Sequence, residues 1–233
     1  MTGPVQLVAM HGWCGDSRSW DPWLPSWQHQ GWTWCCGERG YGRLPARQPT
    51  WKAAAATNVV IAHSLGPHLL APEVLAAADA VVLLTSFARF VPEGRAGRSI
   101  AAALAGMAAQ LRGPEPECML KSFLEQVAAP APADLLQASP AAEPLSPAGL
   151  ELLQQDLDLI AQSSSLPAGF PAEARVLLVE AGADQIVAPA ARQELQRALP
   201  QADALSFAAA GHGLINTPTI AMVNAWIGAL LQS

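Results

Sequence analysis

The chain has 233 residues, of which 51% are hydrophobic and 14% charged, and its formal net charge is −6. That balance is ample for a buried core and excludes an intrinsically disordered chain. No Lys/Arg cluster is present to neutralise phosphates, which excludes a nucleic-acid binder, and the length fits one domain with room for an insertion.

Val5-Gln6-Leu7-Val8-Ala9-Met10 is an apolar run without helical period and predicts a buried parallel strand. It runs into His11-Gly12-Trp13-Cys14-Gly15, where glycines allow the backbone to turn sharply and present N–H groups. Asp16-Ser17 is placed to cap a short helix. Gly31 to Cys36 reads as a second strand. The loop Gly37-Glu38-Arg39-Gly40-Tyr41-Gly42-Arg43 lacks the Lys-Ser/Thr and the helix that a phosphate cradle needs. Thr57 to Ala62 predicts a third strand and Gly66 to Leu75 a helix, with Pro67 in its first turn. Ala80 to Thr85 is another apolar strand.

Between residues 92 and 171 the continuous apolar runs vanish. Helices are predicted over Ser99–Leu111, Glu117–Val127 and Pro147–Gln162, separated by proline-rich stretches at 113–116 and 130–147. Leu150, Leu153, Leu157 and Ile160 form one apolar face of the third helix. The position of this insertion, between two strands, predicts a cap over the sheet edge; the alternative is a helical layer with no part in binding. Arg175 to Glu180 returns as a strand, residues 189–199 as a helix and Ala202–Phe207 as the last strand. Thr217-Pro218 is expected to cap a C-terminal helix with Ile220, Val223, Ile227 and Leu230 on one face. The expected fold is α/β: a doubly wound, mostly parallel sheet of about six strands, with a core formed by 1–91 and 172–233 and a helical lid at 92–171.

The cysteines are Cys14, Cys35, Cys36 and Cys118. They have neither C-x-x-C nor zinc-ligand spacing and are expected to be free thiols. Met1-Thr2-Gly3-Pro4 lacks a basic region and an apolar run, so no secretory signal is expected. The longer apolar-leaning stretches contain Asn, Thr, Pro or Gln and read as globular helices, not membrane spans. The expectation is a cytoplasmic monomer without metal or cofactor.

The chemistry is concentrated at strand ends. Ala62-His63-Ser64-Leu65-Gly66 has the small-x-Ser-x-Gly pattern of a nucleophile elbow, in which a strand breaks into a helix with serine at the turn. Asp184 follows the fifth predicted strand and His212, between Gly211 and Gly213, follows the sixth. In a parallel sheet all three then lie past carboxyl ends on one edge. A serine hydroxyl needs a base, which His212 can supply, and an acid to orient that base, which Asp184 can supply. The backbone N–H groups of Trp13 and Leu65 are candidates for an oxyanion hole. Competing assignments exist. Ser64 could be a turn serine and Asp184 could cap the helix opened at Pro189. Asp79 and Asp203 are rival acids, but both stand at strand beginnings. His11 is expected to brace the loop, His29 to sit on the surface, and Cys14 is a lesser nucleophile candidate. His63 and His68 have no role fixed by sequence.

These residues resemble the α/β-hydrolase family: the His11-Gly12 loop, the Ser64 elbow, Gly182-Ala183-Asp184-Gln185-Ile186-Val187, and Gly211-His212 near the end. Within it, His11-Gly12-Trp13-Cys14-Gly15, Gly149-Leu150-Glu151-Leu152-Leu153 and the helix around Ser122-Phe123-Leu124 are similar to the pimeloyl-acyl carrier protein methyl ester esterases of biotin synthesis. The resemblance implies that Phe123 lines an acyl pocket and that Trp13 supplies both an N–H and an apolar wall. It implies hydrolysis of a small acyl ester, with an acidic acyl carrier protein as the carrier that would hold it. Ala62 and Pro67 stand where that family carries glycine, and Ser122 where it carries arginine. The insertion's cations here are Arg95, Arg98, Arg112 and Lys121. The alternatives are a short-chain esterase, thioesterase or lyase on the same three residues, and a hydrolase-like binding protein without catalysis.

Overall fold

The computed structural model describes residues 5–52, 57–136, 139 and 145–231, so part of the proline-rich stretch 130–147 lies outside the described residues. Six strands form one sheet in the order β2-β1-β3-β4-β5-β6. They are β1 (Val5–Met10), β2 (Thr33–Cys36), β3 (Thr57–His63), β4 (Ala80–Leu84), β5 (Arg175–Ala181) and β6 (Asp203–Phe207). All five pairings are parallel, so the expected doubly wound sheet is met. Strand order reverses between β1 and β3, and such a switch point opens a crevice at the carboxyl ends.

The strands read as unbroken apolar runs because both faces are covered. Alternate residues sort into two cores. Val8, Met10, Val60, Ala62, Val81, Leu83 and Leu178 face one layer. Leu7, Ala9, Val59, Ile61, Val82 and Val179 face the other. Each such aliphatic side chain contributes about 1.5–3 kcal/mol on full burial, less for alanine. On the second face, α1 (Leu24–His29) and α8 (Thr219–Leu230) pack with Trp20, Trp23, Trp27 and Trp32. The first face carries α2 (Gly66–Leu69), α3 (Pro72–Ala76), α4 (Arg95–Leu111), α5 (Pro116–Ala128), α6 (Pro147–Gln162) and α7 (Pro189–Ala198). Leu104, Leu111, Met119, Leu120, Leu153 and Leu157 of the insertion belong to that same first-face core. The insertion is therefore packed as core.

Two local expectations are corrected. The helix expected from Gly66 to Leu75 is broken: Leu70 and Ala71 are extended, with ψ of 144° and 137°. Pro72 forces this, since its ring disfavours the helical region for the residue before it. Thr217 does not cap α8. Pro218 precedes the first turn, and the Thr217 hydroxyl donates to the Leu214 carbonyl. Asp16 does cap its short 3-10 turn, Ser17–Trp20, by accepting from the Arg18 amide.

Candidate active site

Ser64 sits at the end of β3 with φ of 54°, a left-handed conformation that is unfavourable for a residue with a Cβ. Its neighbours hold it there. Its N–H donates to the Leu84 carbonyl at 2.9 Å, and its carbonyl accepts from the Ser86 hydroxyl at 2.7 Å. The small flanks of the elbow have steric causes. A Cβ on Gly66 would collide with the Met10 carbonyl oxygen, and one on Gly12 would stand 2.9 Å from the Ser64 Cβ. Ala62 is fully buried in the sheet, so its methyl group is accommodated at the elbow.

His212 and Asp184 meet as the strand-end argument requires. The His212 Nδ1 donates to the Asp184 Oδ2 at 2.9 Å, with both side chains buried. That fixes the tautomer and leaves Nε2 as the other ring nitrogen. The second oxygen of Asp184, Oδ1, accepts from the amides of Ile186 and Val187. It caps this loop and not α7, whose flanking residue is Ala188. Burial opposes ionisation of Asp184. The His212 charge, the His212 hydrogen bond and the two amides outweigh it and hold the carboxyl below its ordinary range.

The carbonyl of His212 is itself gripped. His63 Nε2 donates to it at 3.1 Å and the Thr85 hydroxyl at 3.0 Å. The His63 and His212 rings lie 4.9 Å apart. Burial, then the proximity of His212, push the His63 pKa down to about 3, so His63 is neutral at ordinary pH. His63 thus sits beside His212. His68 is turned away, stacked on Phe87 with Nε2 on the Phe87 carbonyl. His29 is exposed.

His11 braces the loop after β1 as expected. Its Nδ1 donates to the Gly12 carbonyl at 2.8 Å and its Nε2 accepts from the Arg39 amide at 3.1 Å. Glu38 accepts from the amides of Ser17 and Gly40, and the Arg39 and Glu38 amides are taken by His11 Nε2 and the Arg47 carbonyl, so these loop N–H groups are committed within the protein, an arrangement unsuited to phosphate. Cys14 is buried, and burial raises its thiol to about 12, which keeps it from serving as a nucleophile. The four cysteines are free thiols. Asp79 and Asp203 stand at the opposite ends of their strands. Asp79 accepts from the Asn58 amide, and Asp203 from Arg175 and Trp226.

A cavity of about 370 Å³ opens over these residues. Ser64, His63, His212 and Trp13 border it together with Phe123 and Val127 of α5. Trp13 and Phe123 meet edge to face at 4.8 Å, so both sequence-derived candidates for an apolar wall are in place. Leu65 follows Ser64 at the elbow, fully buried. Among the described residues, no Lys, Arg, Asp or Glu borders the cavity. Among the described residues, no group of three His, Cys, Asp or Glu is arranged to hold a metal ion. No helix among them is long and apolar enough to cross a membrane.

Sequence reasoning missed Thr85 and Ser86, which look like ordinary strand-end residues. It also missed Asp156, Arg39 and Tyr41. Asp156 accepts from Arg39 Nε and Nη2 at 2.6 and 2.8 Å and from the Tyr41 hydroxyl at 2.6 Å. A signal existed for Asp156: it shares the buried stripe of Leu153, Leu157 and Ile160, where a carboxylate needs a partner.

No family model and no curated protein matches the sequence. Solved structures do match it. An esterase from Exiguobacterium antarcticum aligns with a TM-score of 0.73 at 14% identity, covering 100% of this chain and 94% of that one. The enol-lactonase from Burkholderia xenovorans LB400 aligns at 0.66 and 14% identity, over 98% and 90%. E-2-(acetamidomethylene)succinate hydrolase aligns at 0.65 and 18% identity, over 97% and 91%. What these likenesses establish is the architecture: the chain has the α/β-hydrolase fold.

Proposed function

We propose that the chain is a serine carboxyl-ester hydrolase acting through Ser64, His212 and Asp184. The observation that carries this reading is the buried His212–Asp184 hydrogen bond at the cavity that also holds the strained Ser64. In the proposed reaction His212 takes the Ser64 proton as Oγ bonds to the ester carbonyl carbon. The carbonyl oxygen becomes an oxyanion that the Trp13 and Leu65 amides receive. Removing one such donor typically costs about 2.7–4 kcal/mol. His212 then protonates the departing alcohol. Water, deprotonated by the same ring, releases the acid and restores Ser64. Asp184 keeps Nδ1 protonated and stabilises the imidazolium.

The substrate we infer is a neutral apolar acyl ester, because Trp13, Phe123 and Val127 border the cavity and, among the described residues, no charged side chain does. Within that class the sequence resemblance favours the methyl ester of a pimeloyl chain on a carrier protein. A methyl-capped chain suits uncharged walls, whereas a free ω-carboxylate would be desolvated there without a partner.

Ser64→Ala should abolish turnover of a p-nitrophenyl ester and labelling by a fluorophosphonate, with the thermal unfolding midpoint little changed. Retained turnover in that variant would remove the assignment. A panel of carrier-bound methyl esters, free methyl esters and thioesters separates the specific reading from a general esterase or thioesterase.

A further inference from the structure

Three segments close a ring of hydrogen bonds through the Trp13 indole. The first is the loop His11–Gly15 after β1. The second is the loop after β2, which holds the Arg39 amide on His11 Nε2. The third is α6, which is bound to both. The Trp13 indole Nε1 donates to the Leu153 carbonyl of α6 at 2.8 Å. One turn further along α6, Asp156 receives the Arg39 guanidinium through two hydrogen bonds and the Tyr41 hydroxyl through a third. The circuit runs from His11 to Trp13, to Leu153, along the helix to Asp156, to Arg39 and back to His11. Its members are enclosed except for the Arg39 side chain, which is 27% exposed. His11 and Asp156 are 2% exposed, Trp13 is 6% exposed and Tyr41 is fully buried. Gly149 near the start of α6 lies directly against the Tyr41 carbonyl, leaving no room for a Cβ.

A buried carboxylate held by a forked guanidinium and a phenol is a rigid joint, because moving it apart would leave the Asp156 charge without solvent or partner. A covering helix that must swing away from the site would not be fastened by such a joint on one side and by an oxyanion-loop side chain on the other. We propose that α6 is a fixed brace for the oxyanion loop. In this arrangement Asp156 and the Trp13 indole are positioning groups that hold the Trp13 backbone N–H where charge develops. Any opening of the cavity then belongs to α5, which supplies Phe123 and Val127, and not to α6. The inference rests on the serine-hydrolase reading and adds to it a role for residues of the inserted helices in the chemical step.

The test uses the full chain with Trp13→Phe and Asp156→Asn. Phenylalanine keeps an apolar ring at the Phe123 contact and deletes the indole N–H. Steady-state kinetics on a neutral p-nitrophenyl ester should show kcat lowered about tenfold in each, with KM within about twofold. That is a fraction of the roughly 100- to 1,000-fold expected for loss of a whole oxyanion donor. A trifluoromethyl ketone, whose adduct carries the oxyanion, should lose affinity in proportion to kcat/KM. A mere packing role would move the unfolding midpoint and KM but not that proportionality. Unchanged kcat in a folded Trp13→Phe variant overturns the brace while leaving the hydrolase reading intact. A wild-type chain with neither turnover nor fluorophosphonate labelling overturns the hydrolase reading, and the brace with it. If Asp156→Asn does not fold, Trp13→Phe and Arg39→Lys decide, since lysine keeps the charge but not the fork.

Discussion

At the scale of single residues, the site is built from groups whose protonation the fold restricts. His63 is the sharpest case. Its folded pKa is about 3, against about 6.5 for a free imidazole. Between those values the unfolded chain binds the proton and the folded chain does not. Stability therefore rises with pH across that window and is lost on acidification, by at most about 1.4 kcal/mol per pH unit for the one proton. His68, also lowered by burial, acts in the same direction. Asp184 adds a further loss at lower pH. Its stabilising effect is present above the ordinary carboxylate pKa and disappears as pH falls through the depressed folded value. His63→Gln can still donate to the His212 carbonyl but cannot titrate. The wild-type advantage over this variant in urea unfolding should shrink as pH falls from about 6.5 toward about 4. An advantage constant across that range would show that His63 is not the titrating group. The elbow was legible at this scale, since Gly66 and Ala62 announce a crowded turn. The partners of the His212 carbonyl were not, because Thr85 lies 127 residues away in the chain and carries no local pattern.

At the scale of elements, two glycines on helices of the insertion make opposite predictions. Gly149 stands in the first turn of α6 in contact with the Tyr41 backbone, whereas a Cβ on Gly106 in α4 would meet nothing within 4 Å. Gly149→Ala should destabilise the chain by about 1–3 kcal/mol, the usual range for overpacking. Gly106→Ala should stabilise it by up to about 1 kcal/mol through helix propensity. Thermal unfolding of both variants checks the pair, and equal effects would contradict the docking of α6 on the β2 loop. Helix positions were readable from the 3.6-residue period of Leu153, Leu157 and Ile160. The break at Leu70 and Ala71 was also encoded, by Pro72, but a continuous apolar run concealed it. Which helix carries a tether to the loop after β1 could not be read, because Leu153 contributes a backbone carbonyl that any residue would offer.

At the scale of the whole molecule, charge bears on the proposed acyl carrier. A chain of net −6 approaching an acidic carrier needs a local cationic patch, and Arg95 and Arg98 on α4 are both exposed. Under the carrier reading, Arg95→Glu with Arg98→Glu should lower kcat/KM for a carrier-bound ester several-fold. The same pair should leave a carrier-free ester unchanged, since neither residue borders the cavity. Equal effects on both substrates would remove these arginines from carrier recognition. The sequence by itself determined the alternation of buried strands and helices, the parallel sheet and the candidates Ser64, Asp184 and His212. Those features follow from local rules: apolar runs make strands buried on both faces, and their carboxyl ends share an edge. Only the tertiary structure decided that His212 meets Asp184, that His63 and Thr85 hold the His212 carbonyl, and that α6 is fastened to the loop beside Ser64. These depend on distances between segments far apart in the chain, which periodicity and composition do not encode.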